Sequence, residues 1–217
     1  MLISVKHKFL FVANTKAAST SIEAILGPYA EISRPGGPQG KHLPLSKIRY
    51  DYRFLFTTPD HPFESFFRFG VMREPMDWIL SWFRYRRGNQ VAAPLPADMS
   101  FEQFWRAGDW NIRNGQGAPY CQSTIFLDQQ GAPLADMILP YASLDDDLPP
   151  VLAGMGIHAR IPRLNVSVIP PDQARIPPHL IDEIRAHYAA DYALWSRLHD
   201  INAAGLARLN RATPHSA

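Results

Sequence analysis

Two apolar runs that lead directly into polar segments and helices constrain the fold of this chain most strongly. Phe9–Ala13 is followed by NTKAASTS, Asn14–Ser21, and then by apolar residues at helical spacing. Phe67–Met72 is followed in the same way by REPMDWILSWF, in which Trp78 and Trp82 lie four residues apart. This order of strand and helix is typical of a three-layer α/β fold with a central, mainly parallel sheet. In such folds, ligands bind at the carboxyl ends of the strands.

Other stretches predict further elements of this fold. Met137–Pro140 is a short apolar run and predicts another strand, and Phe54–Thr58 predicts a weaker one. Phe101–Trp105 and Leu144–Leu152 have the spacing of helices. Pro177–Leu198 begins with proline and repeats apolar residues at three- and four-residue intervals, which predicts one long packing helix.

Composition narrows the class of protein. The 217 residues are 46% hydrophobic, which is enough for one domain, residues 1–217, with a large core. The 22 basic and 20 acidic residues nearly balance, so the chain lacks the positive field of a nonspecific nucleic-acid binder. Cys121 is the single cysteine, which excludes an internal disulfide and a four-cysteine metal site and fits a reducing compartment. Since no run approaches about 18 apolar residues, we expect no transmembrane segment and a soluble, cytoplasmic protein.

The segment after the first run has the features of an anion site. A strand that turns tightly into a helix directs free backbone N–H groups and the positive end of the helix dipole at one point. A lysine adds charge there, two alanines let a ligand approach the backbone, and three hydroxyls can cap the helix or bind anionic oxygens. These residues are Lys16, Ala17, Ala18, Ser19, Thr20 and Ser21. Because the lysine precedes the small residues, the segment is not a nucleotide-triphosphatase P-loop, and an ordinary helix cap is the alternative.

The segment after the second run repeats this design. Arg73 ends the strand, Pro75 lies in the first turn of a helix, and Ser81 follows two helical turns later. We interpret Arg73 and Ser81 as a second anion site. The alternative is a surface ion pair between Arg73 and Asp77.

Together, the two motifs resemble those of the PAPS-dependent sulfotransferases, particularly the carbohydrate type of bacteria and of the animal Golgi. In that family the first motif binds the 5′-phosphosulfate, and R-x-P with a serine eight residues after the arginine binds the 3′-phosphate. The resemblance therefore assigns Lys16–Ser21 to the first role and Arg73 and Ser81 to the second. It also implies a P-loop-NTPase-like sulfotransferase fold, PAPS as co-substrate, PAP as product, no metal, and a saccharide or related small-molecule acceptor.

Weaker similarity to the family extends along much of the chain, with some departures. The similar segments are GKHLPLSKI at Gly40–Ile48, LNVS at Leu164–Ser167 and YAADYALW at Tyr188–Trp195. Many relatives have glycine where this chain has Ala18, arginine where it has Trp78, and an acidic residue where it has Ala142. The first departure bears on how closely the phosphosulfate approaches the backbone.

Sulfuryl transfer needs stabilisation of the leaving group and a base for the acceptor. In-line displacement through a loose transition state builds charge on the leaving 5′-phosphate, and Lys16 is suited to stabilise it. A hydroxyl acceptor benefits from a base with a pKa near neutrality, for which histidine is the usual residue. His42 lies in a loop between the two anion motifs, where the resemblance places a catalytic histidine. His61 is the next candidate.

Two other functions are alternatives, and several residues have a structural role as the alternative to a functional one. A nucleotide kinase of P-loop-like architecture would need magnesium ligands, and a non-catalytic relative would keep only the nucleotide pocket. Trp105 and Trp110 fit core positions better than a wall for adenine or a sugar. Arg84, Arg86 and Arg87 form either a solvated face or a contact for an acidic acceptor.

Overall fold

The computed structural model describes residues 1–34, 38–88, 94–108, 120–159 and 176–212. Its strands are β1 (Leu2–Ser4), β2 (Phe9–Val12), β3 (Ile32–Ser33), β4 (Phe67–Met72) and β5 (Met137–Pro140). Its α-helices in the first half are α1 (Ser19–Leu26), α2 (Pro38–Lys41), α3 (Leu45–Asp51), α4 (Arg53–Phe56), α5 (Pro75–Arg87) and α6 (Phe101–Ala107). Those in the second half are α7 (Ser123–Phe126), α8 (Leu144–Gly154), α9 (Ile181–His187), α10 (Ala189–Trp195) and α11 (Leu198–Ala212).

The strands form one mixed sheet in the order β3-β1-β2-β4-β5. β2, β4 and β5 are parallel to one another, with Val12 opposite Gly70 and Met72 opposite Pro140. β1 is antiparallel to both of its neighbours, so the sheet is mostly but not wholly parallel. The carboxyl ends of the three parallel strands therefore lie at the same edge, which we call the carboxyl edge.

Helices cover both faces of this sheet because the strand side chains alternate between two apolar clusters. Phe9 and Phe11 of β2 pack in a cluster with residues of α1 and α8. Leu10 and Val12 pack in a second cluster with residues of α3 and α7. The predicted α/β class, with a sheet between helices, is confirmed.

A third apolar cluster joins α5, α6 and α9. It includes Trp78, Phe104, Ile184 and Trp105, all of which are buried. Trp105 thus lies in the core, as its helical spacing indicates. The predicted helices at Phe101–Trp105 and Leu144–Leu152 and the strand at Met137–Pro140 are likewise confirmed.

The strand predicted at Phe54–Thr58 is wrong. This segment contains the end of the short helix α4, and Thr57 follows it as the C-cap. Phe56 is buried against the sheet while Phe54 is 68% exposed, so only one side of the apolar run contacts the core. A short apolar run does not distinguish helix from strand, which explains the error.

The single long helix predicted at Pro177–Leu198 is also wrong. The stretch consists of a 3₁₀ turn at Pro178–Leu180, then α9, then α10. The helix is interrupted at Tyr188, which has ψ of 29° and is fully buried. The Tyr188 ring packs in the third cluster. None of the helices in the described part of the chain is long and apolar enough to cross a membrane.

Candidate active site

The loop after β2 presents an uncapped helix N-terminus at the carboxyl edge. Ala18 is the N-cap residue of α1 and makes no side-chain capping hydrogen bond, and the first turn has no acidic residue. The prediction that Ser19, Thr20 or Ser21 occupies the cap is wrong, because these residues form the first turn itself. Ala17, Ser19 and Ser21 are buried and Thr20 is exposed. The first N–H groups of such a helix end are available to an anion.

The backbone of this loop adopts the left-handed conformation twice. Lys16 has φ of 56° and Ala18 has φ of 55°. This region favours glycine, and an alanine there costs on the order of 1 kcal/mol. The departure from the family pattern at Ala18 therefore falls at a position whose conformation suits glycine. A backbone cost retained beside a helix N-terminus is typical of functional loops.

Lys16 is held at this edge in an unfavourable electrostatic environment. Its Nζ lies 3.7 Å from the centroid of the Tyr85 ring, a cation–π contact. Burial, and then the nearby charge of Arg73, lower the pKa of Lys16 to about 8. Lys16 forms no ion pair with a carboxylate among the described residues. A desolvated lysine beside an arginine is a favourable partner for an anion.

Arg73 lies directly after β4 and contacts the loop of Lys16. Its Nε donates a hydrogen bond to the carbonyl oxygen of Lys16, and its Nη1 donates to Asp77 Oδ2 at 2.7 Å. The Arg73 guanidinium carbon lies 3.4 Å from the ring centroid of Tyr141, which follows β5. The predicted pairing with Asp77 exists, but it engages only one of the guanidinium nitrogens. The ends of all three parallel strands thus contribute to one site.

Ser81 lies on the face of α5 that is directed at this site. Residues four apart share a helix face, so Asp77, Ser81 and Tyr85 are aligned. Asp77 contacts Arg73 and Tyr85 contacts Lys16. Ser81 lies between these two contacts and is buried.

His42 reaches the carboxyl edge from the loop that follows α2. Its Nδ1 lies 2.6 Å from the carbonyl oxygen of Ala13, the residue after β2. A carbonyl only accepts hydrogen bonds, so Nδ1 carries the proton and Nε2 is the basic nitrogen. Burial lowers the pKa of His42, although the hydrogen bond to Ala13 opposes this effect. His42 is therefore neutral at pH 7 and able to accept a proton.

His61 lies at the opposite edge of the sheet. Its Nδ1 is 2.7 Å from Nζ of Lys8, the residue before β2. Lys8 also accepts a backbone hydrogen bond from Phe67 at the start of β4. The second candidate base is thus separated from Lys16 and Arg73 by the length of the strands.

Several other residues of the site carry no recognisable sequence signal. Tyr85 and Tyr141 cover the two cations, and the buried Gln122 hydrogen-bonds to the backbone of Arg73. Trp78, where many relatives of the resembled family have arginine, donates from Nε1 to the carbonyl oxygen of Thr15 at 3.0 Å. This hydrogen bond fixes α5 to the first loop.

Some sequence interpretations concern other positions. Ala142 is exposed in the 3₁₀ turn Tyr141–Ser143. Trp110 and the segment Leu164–Ser167 lie outside the described residues.

No known protein-family model matches the chain, and neither the curated proteins nor the solved structures contain a match to it. The functional proposal therefore depends on the residues of the site.

Proposed function

We propose that this protein is a sulfotransferase that transfers a sulfuryl group from PAPS to a hydroxyl of a saccharide or related small acceptor, on a P-loop-NTPase-like sulfotransferase fold and without a metal. One observation carries the proposal. Lys16 and Arg73, at the ends of neighbouring parallel strands, lie close together at an uncapped helix N-terminus. Such a site favours a ligand with more than one negative charge.

The donor has two phosphate positions, and the site has two anion-binding loops. We assign the 5′-phosphosulfate to Lys16 and to the backbone N–H groups of residues 18–21. We assign the 3′-phosphate to Arg73 and Ser81. Arg73 supports this role because Asp77 and the carbonyl of Lys16 fix the guanidinium through Nη1 and Nε. Nη2 makes no hydrogen bond to a described residue and is thus suited to bind phosphate.

His42 is assigned as the base. The acceptor oxygen attacks sulfur and forms the new O–S bond, while the bond between sulfur and the 5′-phosphate oxygen breaks. The acceptor proton passes to Nε2 of His42, whose Nδ1–H donates to Ala13 and fixes the ring. The proton acceptor is neutral before the reaction because burial lowers the pKa of His42.

Lys16 is assigned to the leaving group. Charge develops on the oxygen of the departing 5′-phosphate, and an ammonium there is attracted more strongly in the transition state than in the ground state. With a pKa of about 8, Lys16 is mostly protonated at pH 7. Its partial burial lowers the local dielectric and strengthens this interaction.

Incubation with sulfur-labelled PAPS and a panel of saccharide and small hydroxyl acceptors tests the proposal. We expect label transfer to at least one acceptor by the wild-type protein and a large loss of transfer in the His42→Asn variant. Transfer of labelled phosphate from ATP with magnesium, and no transfer from PAPS, would identify a kinase instead. Tight binding of PAP with no transfer to any acceptor would identify a non-catalytic relative.

A further inference from the structure

A buried glutamine joins the two anion-binding loops. Gln122 is 0% exposed. Its Oε1 accepts hydrogen bonds from the backbone N–H of Arg73 at 3.0 Å and from Nδ2 of Asn14 at 2.9 Å. Its Nε2 donates to the carbonyl oxygen of Arg73 at 2.9 Å. One carboxamide thus contacts the residue directly after β4 and the loop that leaves β2.

These contacts connect the two loops beyond the point at which the backbone pairing of β2 and β4 ends. The last paired residues of β2 and β4 are Val12 and Gly70. Beyond them, Asn14 Nδ2 donates to the carbonyl oxygen of Val71 at 3.0 Å, and Gln122 pairs with both backbone groups of Arg73. Buried backbone groups need such partners. Two side-chain amides therefore hold the loops at their separation, beside the hydrogen bonds from Arg73 Nε to Lys16 and from Trp78 Nε1 to Thr15.

Gln122 is itself fixed by a buried carboxylate. The backbone N–H groups of Gln122 and Ser123 donate to the two carboxylate oxygens of Asp191 at 3.0 and 2.8 Å. Asp191 is 0% exposed, and it lies in α10, a helix outside the two motifs. The amide that links the loops is thus anchored to an independent part of the core.

We propose that Gln122 is a positioning residue that sets the distance between the two anion-binding loops and thereby couples the two phosphate positions of the donor. This inference rests on the proposed function, since only a ligand that contacts both loops senses their separation. In a preorganised catalytic site, a displacement of about 1 Å can lower the rate by up to a hundredfold. A ligand that spans both loops has the same need for a fixed geometry. Ligands that contact one loop do not depend on the separation.

Asn202 provides a matched control for the loss of hydrogen bonds between a side-chain amide and a strand backbone. Asn202 of α11 accepts from the backbone N–H of Ile138 at 2.7 Å and donates to its carbonyl oxygen at 2.8 Å. This is the same pair of amide–backbone hydrogen bonds that Gln122 makes with Arg73. Ile138 lies within β5, so loss of its partner affects the fold without acting on the loops.

The experiment compares Gln122→Met with Asn202→Leu by calorimetric titration, at a temperature at which each variant is folded. The ligands are PAP, adenosine 5′-phosphate and adenosine 3′-phosphate. We expect both variants to melt at lower temperature. Only Gln122→Met should lose affinity for PAP, by about tenfold or more, while its affinities for the two monophosphates change by less than about threefold.

The outcomes separate the two proposals. Unchanged PAP affinity in Gln122→Met, or equal losses in Gln122→Met and Asn202→Leu, overturns the role of Gln122 and leaves the proposed function intact. Absence of PAP binding by the wild type overturns the proposed function and the coupling with it. If Gln122→Met does not fold, Asn14→Ala decides, because it removes the hydrogen bond between Gln122 and the first loop, together with those of Asn14 to Val71 and Tyr120, and leaves the two hydrogen bonds of Gln122 to the Arg73 backbone in place. A selective loss of PAP affinity in that variant supports coupling, and unchanged PAP affinity contradicts it.

Discussion

Two cationic side chains lie close together at each edge of the sheet, but the interactions that compensate their positive charge differ between the two edges. At the edge where the parallel strands begin, which we call the amino edge, Asp136 binds Arg68 in a bidentate ion pair, with Nε and Nη2 at 2.9 and 2.8 Å, and also pairs with Arg208. At the carboxyl edge, Lys16 and Arg73 lie close together, and Lys16 has no ion pair among the described residues.

We interpret the amino-edge charges as serving the fold and the carboxyl-edge cations as serving the proposed ligand. The amino-edge carboxylate is 10% exposed and neutralises the arginines that hold β4, β5 and α11 together. At the carboxyl edge, the charged form of Lys16 is disfavoured by burial and by Arg73. Burial of Lys16 beside Arg73 is unfavourable for the fold, whereas an anionic ligand would stabilise both cations.

The largest expected effect concerns the two histidines. We expect His42→Asn to lower kcat on the order of a thousandfold, since asparagine cannot accept the proton. In the wild type, kcat/KM should rise with pH through an ionisation below the usual histidine range, because burial lowers the pKa of His42 and the neutral form is the base. The variant should lack this limb. His61→Asn, at the amino edge, should keep both rate and limb, and a loss there instead would reassign the base.

The second-largest expected effect concerns the stability contributions of two carboxylates, Asp136 and Asp77. We expect Asp136→Ala to lower the free energy of unfolding by about 3 kcal/mol, because it leaves a largely buried Arg68 without its partner. Asp77, with a side chain that is 45% exposed, pairs with Arg73 at the carboxyl edge. Asp77→Ala should cost about 0.5 kcal/mol or less. Chemical denaturation measures both, and equal losses would contradict the distinction between the edges.

Two lysines on either side of β2 give a matched comparison of activity. Lys8 and Lys16 have φ of 52° and 56°, so alanine meets a similar backbone conformation at both positions. Lys16→Ala should lower kcat by about a hundredfold or more, comparable with loss of one oxyanion donor. Lys8→Ala should leave kcat unchanged. Near-normal turnover in a folded Lys16→Ala protein would remove this lysine from the mechanism.

The smallest effect concerns the backbone of the first loop. Ala18→Gly should raise the free energy of unfolding by about 0.5 kcal/mol, because relief of the left-handed alanine exceeds the added entropy of the unfolded chain. Ala17 is buried and has no positive φ, so Ala17→Gly should lower stability instead. Thermal unfolding distinguishes the two. Destabilisation by Ala18→Gly would show that the loop is not strained there.

The strong strands and the two motifs were predictable because apolar runs enter helices directly at Phe9–Val12 and Phe67–Met72. β1 and β3 have three and two residues, which is too short for a period to be recognised. The helix break at Tyr188 falls within a regular helical spacing of apolar residues, so the sequence pattern does not reveal it.

The site was predictable only in part. Lys16 and Arg73 follow from the chemistry of anion binding, and they meet because parallel strands align their ends, whereas His42 was proposed from its loop position and the family resemblance and reaches this edge through its contact with Ala13. Gln122 is 49 residues from Arg73 and belongs to no motif, so only the fold reveals its contacts. Tyr85 is equally hidden, since an aromatic residue near a helix end has many possible roles.

The central claim is that the carboxyl-edge cations form a donor-binding site. Titration with PAP and with adenosine 5′-phosphate at pH 7 and pH 9 tests this claim most directly. We predict that PAP binds at least about tenfold more tightly than the monophosphate, because Arg73 adds a charge-assisted contact. PAP affinity should fall by up to about tenfold per pH unit above pH 8, since Lys16, with a pKa of about 8, must be protonated to bind. Lys16→Arg should remove this pH dependence. Equal affinity for the two nucleotides, or a wild-type PAP affinity that is the same at pH 7 and pH 9, would contradict the claim.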